Sequence, residues 1–219
     1  MTSNGVQTSA ILRANRMNSV YAGGHKITEI FQSGQWKGQR CFIVGGGESL
    51  KGFDFSFLHG EKVIAVNRAY EDVPDADIWY AMDIRMYNDI RGNKTRKDAY
   101  ELWTAFKGHK VFLCPINPYT FHDKLHFIRR YDPPEVVCDL HKGTYGGNNS
   151  GFGALMLAIA LGANPIFLLG FDMKIRESTH YHSGYPHQDQ KALAQKLETF
   201  RKKFDEFKDK WPKDTRIVN

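Results

Sequence analysis

The segment His180-Tyr181-His182-Ser183-Gly184-Tyr185-Pro186-His187 packs three histidines and two tyrosines into eight residues. An imidazole titrates near neutral pH and can act as a general base, and a phenol can hydrogen-bond phosphate oxygens. Glycine and proline in the same stretch place it on a loop. Two other outcomes stay open at this point, a metal site and a plain polar surface loop. His-x-His with no nearby cysteine or acidic partner is a weak pattern for zinc. No G-x-S-x-G elbow and no Ser–His–Asp set accompanies it, so hydrolase chemistry has little support.

Four further places carry polar or small residues where a strand should end. Val44-Gly45-Gly46-Gly47-Glu48-Ser49 is a glycine turn after an apolar run. Glycines let a ligand approach the backbone, and N–H groups of a following helix could take an anion. It is neither a G-x-G-x-x-G fingerprint nor a Walker loop, and a plain strand-to-helix turn is the alternative. Asn67 and Asp83 each follow an apolar run. The amide could read a base or ribose and the carboxylate hold a hydroxyl or a metal, but helix capping is the simpler role for either. Asp75-x-Asp77 precedes its strand and reads as a turn rather than as a metal-binding D-x-D. Gly146-Gly147-Asn148-Asn149-Ser150-Gly151-Phe152-Gly153 leads into an apolar helix. Donors and helix dipole together suit an anion there, with Ser150 the candidate cap.

The elements that must hold these residues are legible as short apolar runs. Arg40–Val44, Lys62–Val66, Ala76–Met82, Lys110–Cys114 and Pro165–Leu169 read as strands, with Val136–Asp139 and Arg216–Val218 as further candidates. Near-continuous rather than alternating apolar runs are what parallel strands buried on both faces show. Gly151–Leu161 is apolar all round and predicts a buried helix. Gln188–Lys210 is amphipathic, with Leu193, Leu197, Phe200, Phe204 and Phe207 at helical spacing and its lysines on a solvated face. A short helix is expected over His25–Gln32. The pattern predicts an α/β fold with a mainly parallel sheet of about six to seven strands. Residues 1–24 read as a loosely ordered lead-in, and 25–219 as one domain.

The chain has 219 residues, 42% of them hydrophobic and 25% charged, with a formal net charge of +6. These values fit a globular chain and exclude a fibrous or disordered one. No apolar run approaches the ~20 residues of a membrane span. Met1–Ala22 lacks the apolar core of a signal peptide, so a cytoplasmic location is expected. Cys41, Cys114 and Cys138 stand singly, which points to reduced thiols and neither a zinc site nor a disulfide framework. The basic stretch Arg91–Lys97 is too sparse to argue nucleic acid by itself.

IVGGGESLKGFDF from Ile43, VIAVNRAYED from Val63, IWYAMD from Ile78, NNSGFGALMLAIALGANPIFLLGFDM from Asn148 and THYHSGYPH from Thr179 follow one another in order. In that order they resemble the bacterial sialyltransferases of glycosyltransferase family 42. They are also similar to the related group of motility accessory factors and hydroxymethylpterin pyrophosphokinases. The resemblance spans roughly residues 41–195. It implies that residues 25–219 form one Rossmann-like, nucleotide-binding transferase domain in which Gly45, Gly46, Gly47 and Ser49, with Asn149, Ser150 and Gly151, hold the nucleotide part of a donor. Asn67 and Asp83 match the asparagines after the second and third strands. The base would lie among His180, His182 and His187, with Tyr181 and Tyr185 on the donor phosphate. The chain departs from the sialyltransferase pattern at Gly46 and Asp83, where asparagine is usual, and at Glu48, where proline is.

The leading expectation is therefore a glycosyltransferase moving a sugar from a nucleotide-sugar donor to an acceptor hydroxyl, with no cofactor required. Asn148 joins the loop that stabilises the leaving phosphate, and a histidine deprotonates the acceptor. The alternative is pyrophosphoryl transfer from a nucleoside triphosphate to a small pterin-like hydroxymethyl acceptor, which needs Mg²⁺ on Asp83 and Asp172. A nucleic-acid-binding or nucleic-acid-modifying protein ranks third. A homo-oligomer is left open.

Overall fold

The computed structural model describes residues 24–115, 119–175, 177–184 and 189–219. Among these residues eight strands form one sheet: β1 (Gly24–Lys26), β2 (Cys41–Val44), β3 (Lys62–Val66), β4 (Ile78–Ala81), β5 (His109–Leu113), β6 (Leu125–Ile128), β7 (Ile166–Leu169) and β8 (Ile217–Val218). Their order is β1-β6-β5-β4-β3-β2-β7-β8, and every neighbouring pair is parallel. Among the described residues four α-helices accompany it: α1 (Ile84–Arg91), α2 (Ala99–Ala105), α3 (Ser150–Ala160) and α4 (Gln190–Phe207). This is the expected α/β, Rossmann-like fold.

The apolar runs are continuous because both faces of the sheet are covered. Along β3, Ile64 and Val66 enter one core with Ile43, Ile78 and the α3 residues Leu155, Leu157 and Ile159. Val63 and Ala65 enter the other, with Trp79, Phe112 and the α1 and α2 residues Tyr87, Ile90 and Trp103. Helix α3 is buried from Gly151 to Ala160, which explains why it shows no polar stripe. Phe207 of α4 is buried against Phe152 of α3, and Phe204 and Trp211 pack beside them.

The sheet has one strand more than the upper expectation. Strand β1, Gly-His-Lys, holds no apolar residue; it forms because its backbone pairs with β6, Gly24 opposite Leu125. A Cβ on Gly24 would lie 2.0 Å from the Phe127 ring, so glycine is required for that approach. The helix expected over His25–Gln32 is thus a strand followed by a single 3₁₀ turn, Ile27–Glu29. Strand β6 went unread because His126 and the polar residues before it interrupt the run. Val136–Asp139 is not a strand; Val137 is buried without joining a ladder.

Charges mostly serve the fold. Asp77 accepts from the Val63 amide at 2.9 Å and from Lys62 at 2.8 Å, tying the entrances of β3 and β4 together as a turn residue would. In the basic stretch, Arg91 pairs with Asp123 (3.2 Å), Lys94 with Asp89 (3.7 Å) and Arg96 with Asp98 (2.5 Å). On α4, Arg201 pairs with Glu198 and Asp205 along an exposed face, where such pairs contribute little. Cys41 and Cys114 are buried thiols outside any disulfide, and Cys138 is exposed. No helix among the described residues is long and apolar enough to cross a membrane.

The packing of α3 on the sheet yields a test. A Cβ on Gly153 would sit 2.3 Å from the Tyr80 hydroxyl and 3.0 Å from the ring carbon bearing it. That hydroxyl is buried and makes no hydrogen bond among the described residues. Gly153→Ala is expected to cost about 1–3 kcal/mol by overpacking, despite alanine's better helix propensity. Tyr80→Phe should be close to neutral alone and should recover part of the Gly153→Ala loss in the double variant. Urea denaturation of the four proteins measures this, and equal losses in both backgrounds would refute the contact.

Candidate functional site

β2 leads on to β3 on one side, whereas β7 lies on its other side. At such a reversal in strand order the loops part, and in open α/β sheets ligands bind there, outside the carboxyl ends. Val44 and Leu169 are opposite one another at those ends. Beyond them the two loops are laced together. Gly45 N–H donates to the Leu169 carbonyl (2.8 Å), Gly47 N–H to the Gly170 carbonyl (2.9 Å) and Ser49 N–H to Asp172 Oδ2 (2.8 Å). A Cβ on Gly47 would fall 2.4 Å from that Asp172 oxygen and 2.5 Å from the Gly170 carbonyl oxygen, so the lacing requires glycine.

Two expectations are corrected here. No α-helix follows the glycine turn; a three-residue 3₁₀ turn, Glu48–Leu50, stands in its place and supplies no appreciable helix dipole. The Ser49 amide is not left for an outside anion, because the Asp172 carboxylate takes it.

The histidine loop lies on the glycine turn. Tyr181 N–H donates to the Gly46 carbonyl at 3.2 Å. The His180 and His182 rings stack, with centroids 4.8 Å apart and an interplanar angle of 18°. A Cβ on Gly46 would meet His180 at 3.0 Å and His182 Nε2 at 3.2 Å. The loop is tied down from below by Ser178 N–H on Glu48 Oε1 (2.9 Å). His182 Nδ1 accepts from Gly184 N–H at 3.1 Å, which puts the proton of the neutral ring on Nε2. Burial, reinforced by the nearby Arg68 guanidinium, lowers His180 to about 4 and His182 to about 3. Both rings are therefore neutral at physiological pH.

Arg68 is the residue the sequence did not single out. It follows Asn67 at the end of β3 and is only 3% exposed, with its partner Glu71 at 4%. Its guanidinium forks onto Glu71 (2.7 and 2.8 Å) and reaches Ser183 Oγ (3.1 Å) and the Gly184 carbonyl. The i,i+3 spacing of Arg68 and Glu71 was the available signal. Tyr181 donates its hydroxyl to Asp72 Oδ2 at 3.0 Å, so that group is already engaged.

Asn67 and Asn148 adopt left-handed backbone, φ 56° and 58°, a conformation that functional loops tolerate at some energetic cost. Asn67 Oδ1 is buried without a hydrogen bond among the described residues. Asn149, not Ser150, caps α3, accepting from Phe152 N–H at 3.0 Å. Ser150 is instead the first helical residue, and Gly151 packs on the Phe171 ring. Asp83 caps α1 and holds Arg85, the simpler of its two expected roles. Its strand, β4, is three places from β7, about 14 Å at the usual strand spacing. Asp83 and Asp172 therefore cannot share one Mg²⁺. Among the described residues no group of three or more His, Cys, Asp or Glu is placed to hold a metal ion. Tyr185 and His187 lie outside the described residues.

The site is thus a glycine turn laced to a G-x-D loop and covered by neutral histidines, at the strand-order reversal of a Rossmann-like sheet. Compared with models of known families and with curated proteins, the chain matches none.

Two tests follow from the geometry. Gly47→Ala should destabilise the chain by about 1–3 kcal/mol, because backbone rather than a flexible side-chain tip blocks the methyl; an unchanged denaturation midpoint would disprove the lacing. The histidines also set a pH dependence. Above pH 6.5 neither state is protonated, so stability is unaffected. Between 6.5 and about 3 the unfolded chain takes up protons that folded His180 and His182 refuse, so stability falls with pH. Burial also lowers His109 and His126. The His180→Gln/His182→Gln variant should therefore show a shallower, not a flat, loss of melting temperature from pH 7.5 to 4.5.

Proposed function

We propose that this chain is a nucleotide-dependent transferase that moves a sugar from a nucleotide-sugar donor to an acceptor hydroxyl. The observation that carries this is the packing of the stacked His180–His182 pair on the glycine turn where the strand order reverses. The capped N-terminus of α3 adds a second set of amides at the carboxyl end of the same sheet. The resemblance to the family 42 sialyltransferases points the same way.

In this scheme the glycine turn and residues 148–151 bind the nucleotide and its phosphates. Neutral imidazoles can donate Nε2–H to the leaving phosphate, and preorganised donors aimed at developing charge are the largest catalytic contribution. A histidine of pKa 3–4 draws weakly on a hydroxyl proton, since a good base titrates near the working pH. The general base is therefore assigned to His187. Asp172 holds the turn in shape through Ser49 rather than binding ligand itself.

A thermal-shift panel of CMP, UMP, GMP, AMP and ATP, each with and without Mg²⁺, tests the proposal. One monophosphate at about 100 times its Kd should raise Tm by roughly 5–10 °C without metal. His187→Ala should keep that shift and lose transfer by about 10²–10⁴-fold. A shift with ATP and Mg²⁺ alone would replace glycosyl with pyrophosphoryl transfer, and no shift with any nucleotide would remove the proposal.

A further inference from the structure

Helix α4 carries the chain from β7 back to the start of β8, the usual connection between parallel neighbours. Residues of α3, β7, α4 and β8 enclose a cavity of about 680 Å³, within the usual range for ligand pockets, about 300–1,000 Å³. We propose that it binds an elongated organic anion of the fatty-acid class, its apolar chain along β7 and its head group against Lys208 and Arg216. The proposal does not depend on the transferase reading.

The apolar chain follows from what the packing leaves uncovered. Leu155, Leu168 and Phe171 line the cavity and are buried. Met173, Phe204, Trp211 and Ile217 line it too, and each keeps part of its surface exposed. Four large apolar side chains meeting at one opening differ from hydrophobic residues scattered singly over a surface, which need no explanation. The elongation follows from the residues at the two ends. Arg216 precedes β8 and Met173 follows β7, so the lining reaches past both ends of β7. That strand has four residues, about 13 Å at the usual rise. A long apolar cavity suits a chain better than a compact ring.

The charges decide the head group and where it sits. Arg201, Phe204, Asp205 and Lys208 line the cavity as one stripe of α4 at helical spacing. Because the chain runs back along α4 to begin β8, the Lys208 end of the stripe lies toward Arg216. Arg201 pairs with Glu198 (2.9 Å) and Asp205 (3.2 Å), and Asp172 accepts from Ser49 N–H. Lys208 and Arg216 are exposed and make no ion pair among the described residues. One end of the cavity thus carries two uncompensated cations, while Asp172 stands at the other. An anionic head is attracted to the first end and repelled from the second. The cavity also adjoins the glycine turn. The Phe171 ring lies 3.2 Å from where a Cβ on Gly45 would stand, and Asp172 holds the Ser49 amide. An occupant packed on Phe171 therefore touches residues that hold the turn in shape.

Tryptophan fluorescence supplies the test, because Trp36, Trp79 and Trp103 are buried elsewhere and Trp211 lines the cavity. The full chain is titrated with decanoate, decanol and decyltrimethylammonium below their micelle concentrations, by fluorescence and by calorimetry. Decanoate should bind saturably and about five- to thirtyfold tighter than decanol, the gain expected from two exposed ion pairs. Decyltrimethylammonium should bind more weakly than either. Lys208→Gln/Arg216→Gln alters two exposed side chains, so the fold should survive, and decanoate should fall to the affinity of decanol. Trp211→Phe should lose the fluorescence change and keep binding in the calorimeter. Absence of saturable decanoate binding overturns the proposal, as does equal affinity for the three amphiphiles or indifference to the double variant. A fluorescence change that persists in Trp211→Phe also overturns it, because the occupant would then lie elsewhere.

Discussion

The parallel pairing of β2 with β7 is the constraint on which the site depends. The two strands come from distant parts of the chain, and their register sets Val44 beside Leu169. Each loop that follows then has the other as its nearest backbone partner. Three amides, of Gly45, Gly47 and Ser49, are satisfied across the gap, as buried or crowded N–H groups must be. That lacing leaves no room for a side chain at Gly47 and fixes the platform on which the histidines rest. A shift of one residue in this register would separate Asp172 from Ser49 and turn every β7 side chain to the opposite face.

A second interaction, the buried Arg68–Glu71 fork, acts on the loop from the β3 side. A guanidinium removed from water needs its donors used, and three residues supply acceptors: Glu71, Ser183 and Gly184. The cation also stands near His180 and His182, where it reinforces burial in keeping both rings neutral. One residue thus shapes the loop and adds to the burial that keeps its histidines neutral. The consequence is that these two rings are suited to donate hydrogen bonds rather than to take up a proton near neutral pH.

Much of the framework was legible from residue patterns. Five apolar runs became β2, β3, β4, β5 and β7, the candidate run Arg216–Val218 became β8, and the two long helices α3 and α4 lie within three residues of their expected bounds. These segments bury their side chains, so the hydrophobic effect leaves its mark directly on the sequence. Strands β1 and β6 escaped notice for different reasons: β6 buries Leu125, Phe127 and Ile128, but His126 and the polar residues before it break up the run. β1 is held by backbone pairing to a neighbour, and no side-chain pattern encodes that. Asp83 shows the limit of motif reasoning at a strand end: a carboxylate there could have held a metal, and it caps a helix.

The amino-acid sequence alone determined the α/β class, the places where strands end in glycine or amide residues, and the local enrichment in histidine. Those properties follow from periodicity and from backbone conformations that only certain residues adopt. Only the tertiary structure decided which ends meet. The strand order put the glycine turn against Asp172, set Asp83 three strands away from it, and brought Arg68 beneath a loop far along the chain. Contacts of this kind depend on sheet order and register, which arise from the summed packing of both cores rather than from any local run of residues.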